Sequence, residues 1–490
     1  MKNENLTLLT DLYELTMMKG YHDIKNEDRV VFDVFYRSNP SKGGYAICAG
    51  LEQVIDYVKN LHFDKDDIDY LRELEVFDED FLNYLENFKF TGNIYAIEEG
   101  TVVFPMEPLL KVEAPIIEAQ LVETAILNII NHQSLIATKA ARVCHAAEGD
   151  GVMEFGLRRA QGADAGTLGA RAAMIGGCCA TSNVLCGKQF DVPVAGTHAH
   201  SWIMSFPSEY EAFKKYAELF PNNATLLVDT YDTLGSGVPN AIKVFQELKD
   251  EGKMPRKYGI RLDSGDLAYL SKKARKMLDD AGFYDATICA SNDLDEYLIE
   301  SLKGQGAKIN LWGVGTSLIT SRDCPSFGGV YKLAAIKKEG KMIPKIKLSE
   351  DRVKITNPGD KQVYRFYDKN TGKIKGDIIG FTSEEYNEGQ NTVLFDPVDT
   401  WKKTELLPGT YTVRELLKPI FIDGKCVYDS IPVMQIRDYC TKEKETLSDE
   451  NKRFLNPHPV HVDLSYPLWE QKNEMINEEK AKKVNRKVMK

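Results

Sequence analysis

The sequence predicts an α/β protein built on an irregular, incomplete β/α barrel, with an α+β N-terminal domain before it and a smaller, mainly β extension after it. Three observations lead there. Short apolar runs recur through the middle of the chain about every 23 to 40 residues, most followed by a helical pattern, and one β/α unit with its loops takes about 30 residues. The residues just past each run are polar or charged, as at the C-terminal ends of barrel strands. The texture changes on either side of this stretch, and the chain's 490 residues exceed the roughly 250–300 at which single cores stop growing. The expected division is 1–148, 149–340 and 341–490.

In the first part, Leu8, Leu12, Leu15 and Met18 fall at helical spacing over Asn5 to Gly20, with Gly20 as a stop. Val30 to Tyr36 alternates, is β-branched and predicts a strand. Thr91 to Glu113 holds short strands broken by Gly100, Pro105 and Pro108, and Glu118 to Ala147 predicts one long helix.

The barrel runs begin at Val152, Val192, Thr225, Tyr258, Thr287 and Ile309, and Val330 to Ile336 is a candidate seventh. Ser208-x-x-Glu211 is a capping box that opens a helix over Glu209 to Phe220. Asp266 to Ala281 is an amphipathic run stopped by Gly282. An open doubly wound sheet would gather its polar groups at one switch point. Here nearly every strand end contributes, which favours a barrel. Beyond about 340, Asn357-Pro-Gly-Asp360 and Lys369-Asn-Thr-Gly372 separate alternating runs and predict β-hairpins. Residues 470–490 read as a solvated helix or tail.

Composition narrows the function. Hydrophobic residues at 43% and charged residues at 28% are ordinary globular usage. The formal charge of −11, from 62 basic and 73 acidic residues, argues against nucleic acid or anionic lipid as a main partner. The N-terminus lacks the basic and apolar regions of a signal peptide, and no run approaches 18 apolar residues, so no membrane span is expected. The nine cysteines are odd in number and scattered, which fits reduced thiols in a cytoplasmic protein. A multidomain soluble enzyme remains.

Several constellations carry chemistry. Gly313-Val-Gly-Thr316, after a strand, is either an anion nest suited to phosphate or a tight turn. Arg261 and Asp263, two apart on a strand, face one side and form either a cleft for an anionic substrate or a buried ion pair. Arg158-Arg159 is either a clamp for a carboxylate or phosphate or a surface pair. His198-Ala-His200 suggests zinc only weakly, because no third ligand stands at suitable spacing; a nucleophilic or proton-carrying histidine is equally compatible. His458-x-x-His461 with Cys426 and Cys440 is a second weak zinc candidate. Core packing is the default for Tyr13.

Five segments occur in order: Asp11-Leu-Tyr-Glu-Leu-Thr16, Glu154-Phe-Gly-Leu-Arg-Arg-Ala160, Gly196-Thr-His-Ala-His-Ser201, Arg261-Leu-Asp-Ser-Gly-Asp266 and Gly313-Val-Gly-Thr316. Together they resemble the nicotinate phosphoribosyltransferase family over essentially the whole chain. The resemblance implies transfer of phosphoribosyl from 5-phosphoribosyl 1-diphosphate to nicotinate in NAD salvage, giving nicotinate mononucleotide and diphosphate. It also implies coupling to ATP hydrolysis through a phosphorylated His200, with Mg²⁺ as cofactor and a homodimer that shares its active sites. Tyr13 from the neighbouring subunit and Phe155 would sandwich the pyridine ring. Arg158, Arg261 and Thr197 would bind nicotinate. Asp263, catalytic alongside His200, would hold ribose hydroxyls or Mg²⁺, with Arg261 beside the phosphoribosyl diphosphate. Gly315 and Thr316 would cradle the 5-phosphate. Nicotinamide-using relatives place an aspartate near the amide, whereas Thr181-Ser182-Asn183 offers no carboxylate there, which favours the acid. Two other readings are open. One is quinolinate phosphoribosyltransferase, which decarboxylates and needs no ATP. The other is a catalytically dead binding protein on this scaffold, against which the presence of Arg261, Asp263, His200 and Thr316 speaks.

Overall fold

A computed structural model describes residues 5–488, with side chains through residue 482. The last two residues of the expected C-terminal helix or tail, 489 and 490, and the first four of the N-terminal segment lie outside the described residues. The chain forms two compact units: Ile136–Pro325 with Pro432–Asp438, and Met1–Leu135 with Ser326–Ile431 and Tyr439–Lys490.

The second of these is built on a seven-stranded sheet in which every pairing is antiparallel. Its order is Lys341–Pro344, Val330–Lys338, Arg29–Phe35, Leu110–Pro115, Asn93–Ile97, Leu417–Ile422 and Lys425–Cys426. Sequence-distant strands thus share one sheet. Val30, Val31 and Val34 are fully buried, as a central strand covered on both faces requires. The N-terminal helix is Leu12–Asp23, and the expected long helix is two, Ile116–Leu121 and Glu123–Ala146. A smaller sheet has Lys361–Asp368 and Ile374–Phe381 at its centre, an antiparallel hairpin as expected. Asp368 Oδ1 accepts from the backbone N–H groups of Asn370 and Thr371 at 3.1 and 2.9 Å, and Gly372 closes the turn at φ 68°, a conformation glycine adopts without strain. The helix Tyr466–Val488 follows.

One barrel expectation is corrected here. The candidate seventh run is a strand, Val330–Lys338, but it pairs antiparallel with Arg29–Phe35 in this sheet. An apolar β-branched run states that a strand forms, not which sheet buries it.

The other unit holds six parallel strands: β1 (Gly151–Glu154), β2 (Ala180–Thr181), β3 (Ala224–Leu227), β4 (Tyr258–Leu262), β5 (Thr287–Ala290) and β6 (Leu311–Val314). Their order is β2-β1-β6-β5-β4-β3, a curled half-barrel. The run at Val192 contributes only a parallel bridge, Val194 to Thr181, beyond β2. Among the described residues no pairing joins that run to β3, so the barrel is incomplete, as expected. Strand β2, two residues long, has no periodicity to find. The strand cores, Leu226, Ile260, Ile288, Trp312 and Val314, are fully buried.

Between strands, polar caps restart the helices: Ser208 accepts from Glu211 N, Asp266 from Tyr269 N and Asp295 from Leu298 N. Each such cap is worth about 1 kcal/mol. Because all six strands run the same way, their C-terminal ends open onto one rim. Among the described residues no helix is long and apolar enough to cross a membrane, and none of the nine cysteines forms a disulfide.

Candidate active site

The rim of the half-barrel is organised around β4. Arg261 and Asp263 stand two residues apart and do face the same side. Arg261 Nη2 donates to Asp263 Oδ1 at 2.9 Å, Nη1 to Thr197 Oγ1 at 2.9 Å and Nε to Ser291 Oγ at 2.9 Å. Ser291 Oγ also donates to Asp263 Oδ1. Three of the five guanidinium N–H groups are thereby used and two remain. The ion pair is not buried: the side chains are 16% and 32% exposed. Of the two alternatives for this pair, the open cleft is the one found.

Phe155, just past β1, stands beside it. The Arg261 guanidinium carbon lies 5.9 Å from the Phe155 ring centroid. The ring has room because position 313 on β6 lacks a side chain; a Cβ there would come within 2.7 Å of Phe155 Cδ2. Below it, Glu154 is fully buried. Its carboxylate accepts from Thr181 Oγ1 at 2.6 Å and from the Gly156 N–H, tying the ends of β1 and β2 together. Burial raises its pKa above the ordinary carboxylate value.

The two histidines separate cleanly. His198 is buried and packs edge-on to Tyr216, with centroids 4.5 Å apart. Its Nε2 accepts from Leu227 N at 3.4 Å and its Nδ1 faces Ala199 O at 3.5 Å. Burial pushes its pKa down to about 4, so it is neutral and structural. With both ring nitrogens committed, it is not a zinc ligand. His200 opens a short helix, His200–Met204, and its side chain is 40% exposed. Its Nδ1 lies 3.0 Å from Thr230 Oγ1 and its Nε2 3.9 Å from Asp263 Oδ2. One nitrogen is held from behind, leaving the other facing the rim carboxylate.

Asp229, at the end of β3, completes the arrangement. Its Oδ2 accepts from Asp263 N at 2.8 Å and Ser264 Oγ at 2.7 Å. Its Oδ1 is buried and accepts no hydrogen bond.

A cavity of about 390 Å³ runs along this rim, lined by Phe155, Arg158, Ser182, Thr197, His200, Arg261 and Asp263 among others. The structure thus brings together six of the anticipated site residues. Arg158 projects from the turn Leu157–Arg159 into the lining, while Arg159 is outside it. Gly315 and Thr316 follow β6 on the same rim but do not line this cavity; a Cβ at Gly315 would stand 3.2 Å from Phe155 O. Tyr13 belongs to the other unit, on the helix Leu12–Asp23. It is 48% exposed, whereas Leu15 and Met18 of the same helix are buried, so core packing is not its role. Of Thr181-Ser182-Asn183, it is Ser182 that lines the cavity. Asn183 instead caps the helix Val184–Phe190 by accepting from Cys186 N at 3.0 Å.

Thr230, Asp229 and Ser291 were legible only as members of polar strand ends. Nothing in their spacing distinguishes the one that holds His200 from its neighbours.

Three family descriptions match the chain: the nicotinate phosphoribosyltransferase N-terminal domain over residues 8–131, the nicotinate phosphoribosyltransferase family over 151–371 and its C-terminal domain over 360–472. The chain is 47% identical over 482 residues to the nicotinate phosphoribosyltransferase of Bacillus subtilis (strain 168), covering 98% of this chain and 97% of that one. It is 36% identical to the Dictyostelium discoideum protein of the same name, covering 94% and 87%. The crystal structure of human nicotinic acid phosphoribosyltransferase superposes with a TM-score of 0.82 at 28% identity, covering 95% and 99%. Full-length similarity at this level, over a half-barrel whose rim gathers the arginine, carboxylate, histidine and aromatic side chains described above, makes the chain an enzyme that belongs to the nicotinate phosphoribosyltransferase family.

Proposed function

We propose that the chain transfers phosphoribosyl from 5-phosphoribosyl 1-diphosphate to nicotinate in NAD salvage, coupled to ATP hydrolysis through phosphorylation of His200. The observation that carries this reading is Arg261, held by Thr197, Ser291 and Asp263 with two N–H groups still free at a cavity wall. Two parallel N–H groups suit a carboxylate, and the Phe155 ring beside the guanidinium offers a face for the pyridine.

In the transfer, the pyridine nitrogen forms a bond to C1 of the ribose as the C1–O bond to diphosphate breaks. The leaving oxygen takes the electron pair, and no proton need move. Positive charge gathers at the ribosyl centre and negative charge on the diphosphate, so preorganised charge contributes most. Asp263 lies where it would meet ribose hydroxyls. Arg158 and Arg261 offset the negative charge of the bound ligands. Gly315 and Thr316 receive the 5-phosphate at the neighbouring strand end.

Thr230 orients His200 so that Nε2 is the nitrogen presented for phosphorylation. Tyr13, exposed here, covers the other face of the ring from the second subunit of a homodimer. Mg²⁺ fits this rim. Asp229 Oδ1 is buried with no donor and Asp263 Oδ2 is not taken by Arg261, and this ion is held by one or two carboxylates together with substrate phosphates. It would supply neutralisation of the diphosphate.

The test is a product assay with nicotinate or nicotinamide, each with and without ATP. Nicotinate mononucleotide and ADP should form from nicotinate, and His200→Ala should abolish the ATP stimulation while leaving slow transfer. Full ATP stimulation in His200→Ala would remove the histidine from the mechanism, and release of CO₂ from quinolinate would replace the substrate.

A further inference from the structure

The unit that carries the C-terminal segment contains a second cavity, of about 280 Å³, that the transfer reaction does not use. Its walls are apolar: Val353, Ile355, Pro397, Val398, Leu464 and Trp469. Trp469 is fixed, since its Nε1 donates to Pro397 O at 3.1 Å. Two cations line the same space, Lys472 and Arg352, and no aspartate or glutamate does.

The charge there is uncompensated. Lys472 Nζ donates to Asn357 Oδ1 at 2.7 Å, a neutral acceptor on a buried residue. Arg352, at the exposed mouth of the cavity, donates to no described side chain. A third cation nearby, Lys361, already has its counter-charge in Asp33 Oδ2 at 2.7 Å. Charged side chains placed among apolar groups are ordinarily paired. An ammonium held only by an amide, with a guanidinium beside it, is a standing invitation to an anion.

We propose that this cavity binds a small organic monoanion, a carboxylate with a compact apolar body, whose head is held by Lys472 and Arg352 and whose body lies against Trp469. The volume equals that of about nine water molecules at roughly 30 Å³ each, which admits a single-ring or branched-chain acid. The apolar walls favour such an acid over inorganic phosphate, which would gain the charge contacts but remove no apolar surface from water. The amine is already under strain in the free protein. Burial first, and then the charges of Arg352 and Lys361, push the Lys472 pKa down to about 8. A bound carboxylate offsets the like charges.

Calorimetric titration of the full chain with sodium benzoate tests this, carried out in an Arg261→Ala background so that the barrel rim cannot answer for it. Benzoate should bind there with one site per chain. Lys472→Met should weaken it at least tenfold, and Val398→Trp, placed at an exposed wall position, should block it by filling the space. Phosphate should bind more weakly than benzoate. Nicotinate transfer in the Lys472→Met single variant should match the unmodified enzyme, which also reports that it folds. No benzoate binding, binding that survives both Lys472→Met and Val398→Trp, or phosphate competing for the benzoate site as strongly as benzoate itself would each overturn the proposal.

Discussion

Arg261 and Arg365 make the same kind of bond in two very different settings. Each is a strand arginine paired to an aspartate. Arg365 is fully buried, its Nε and Nη2 meet Asp377 at 2.9 and 2.7 Å, and its Nη1 donates to Val102 O at 2.6 Å. Glu107 Oε1 lies 3.5 Å from Nη2 and Glu443 Oε2 3.7 Å from Nη1. Every nitrogen faces an acceptor. Burial, and then the charge of Asp377, raise the Glu107 carboxyl well above the usual range. Arg261 has the same fork, but its partners leave two donors and part of its surface at a cavity. The closed pair consumes its hydrogen-bonding capacity in the fold. The open pair keeps some for a ligand. Chemistry is sited where satisfaction is incomplete, and the completeness depends on neighbours rather than on the pair itself.

The largest effect that would break this contrast is on stability. Arg365→Met should lower the unfolding free energy by about 3–5 kcal/mol, the range for leaving one partner of a buried ion pair alone. Chemical denaturation measures it. A loss no larger than that of Arg261→Met would remove the distinction between the two sites.

The converse is on activity. Arg261→Ala should cut kcat/KM for nicotinate by about 10²–10³-fold, which is roughly 2.7–4 kcal/mol of transition-state stabilisation. Its denaturation midpoint should stay close to that of the unmodified chain, because Thr197, Ser291 and Asp263 border a cavity where water can take over the lost hydrogen bonds.

A smaller effect sharpens how the open site keeps its shape. Gly313→Ala places a methyl group 2.7 Å from the Phe155 ring, and overpacking of this kind costs about 1–3 kcal/mol. The ring must turn away, so KM for nicotinate should rise while the proposed ATP-dependent phosphorylation of His200, which does not need the ring, should be unaffected. An unchanged KM would show that the ring does not face the substrate.

The last is a pH effect on the buried histidine of the motif. His198 is held neutral with its pKa lowered to about 4. Its folded-state pKa lies below its unfolded one, so the unfolded chain binds more protons as pH falls. The stability it supports is complete above about 6.5 and is lost as pH drops toward 4. His198→Asn, which keeps an acceptor for Leu227 N, should flatten the stability curve between those values by about 3 kcal/mol.

Much of this was legible in the chain. The β/α recurrence, the capping residues Ser208 and Asp266, the hairpin turn at Lys369 to Gly372 and the grouping of Arg261 with Asp263 all follow from local rules: side-chain period, turn conformation and orphan N–H groups. The exposure of Tyr13 did not follow, since its helix shows only that Leu15 and Met18 share a stripe. Nor did the membership of Val330–Lys338 in an antiparallel sheet, or the two-residue strand at Ala180.

The sequence by itself determined most of the elements, including five of the six barrel strands with their polar ends, and which side chains have the chemistry for an anionic ligand. Those are properties of neighbours along the chain, within the reach of a few residues. Only the tertiary structure decided that His198 is buried while His200 is open, that Ser182 rather than Asn183 faces the cavity, and that Arg261 retains two donors at a cavity while the fully buried Arg365 is enclosed by carboxylates and a carbonyl. Burial and the satisfaction of a donor are set by atoms far away in sequence, such as Thr197 and Ser291 for Arg261, or Val102 and Glu443 for Arg365, and no local pattern encodes where those atoms arrive.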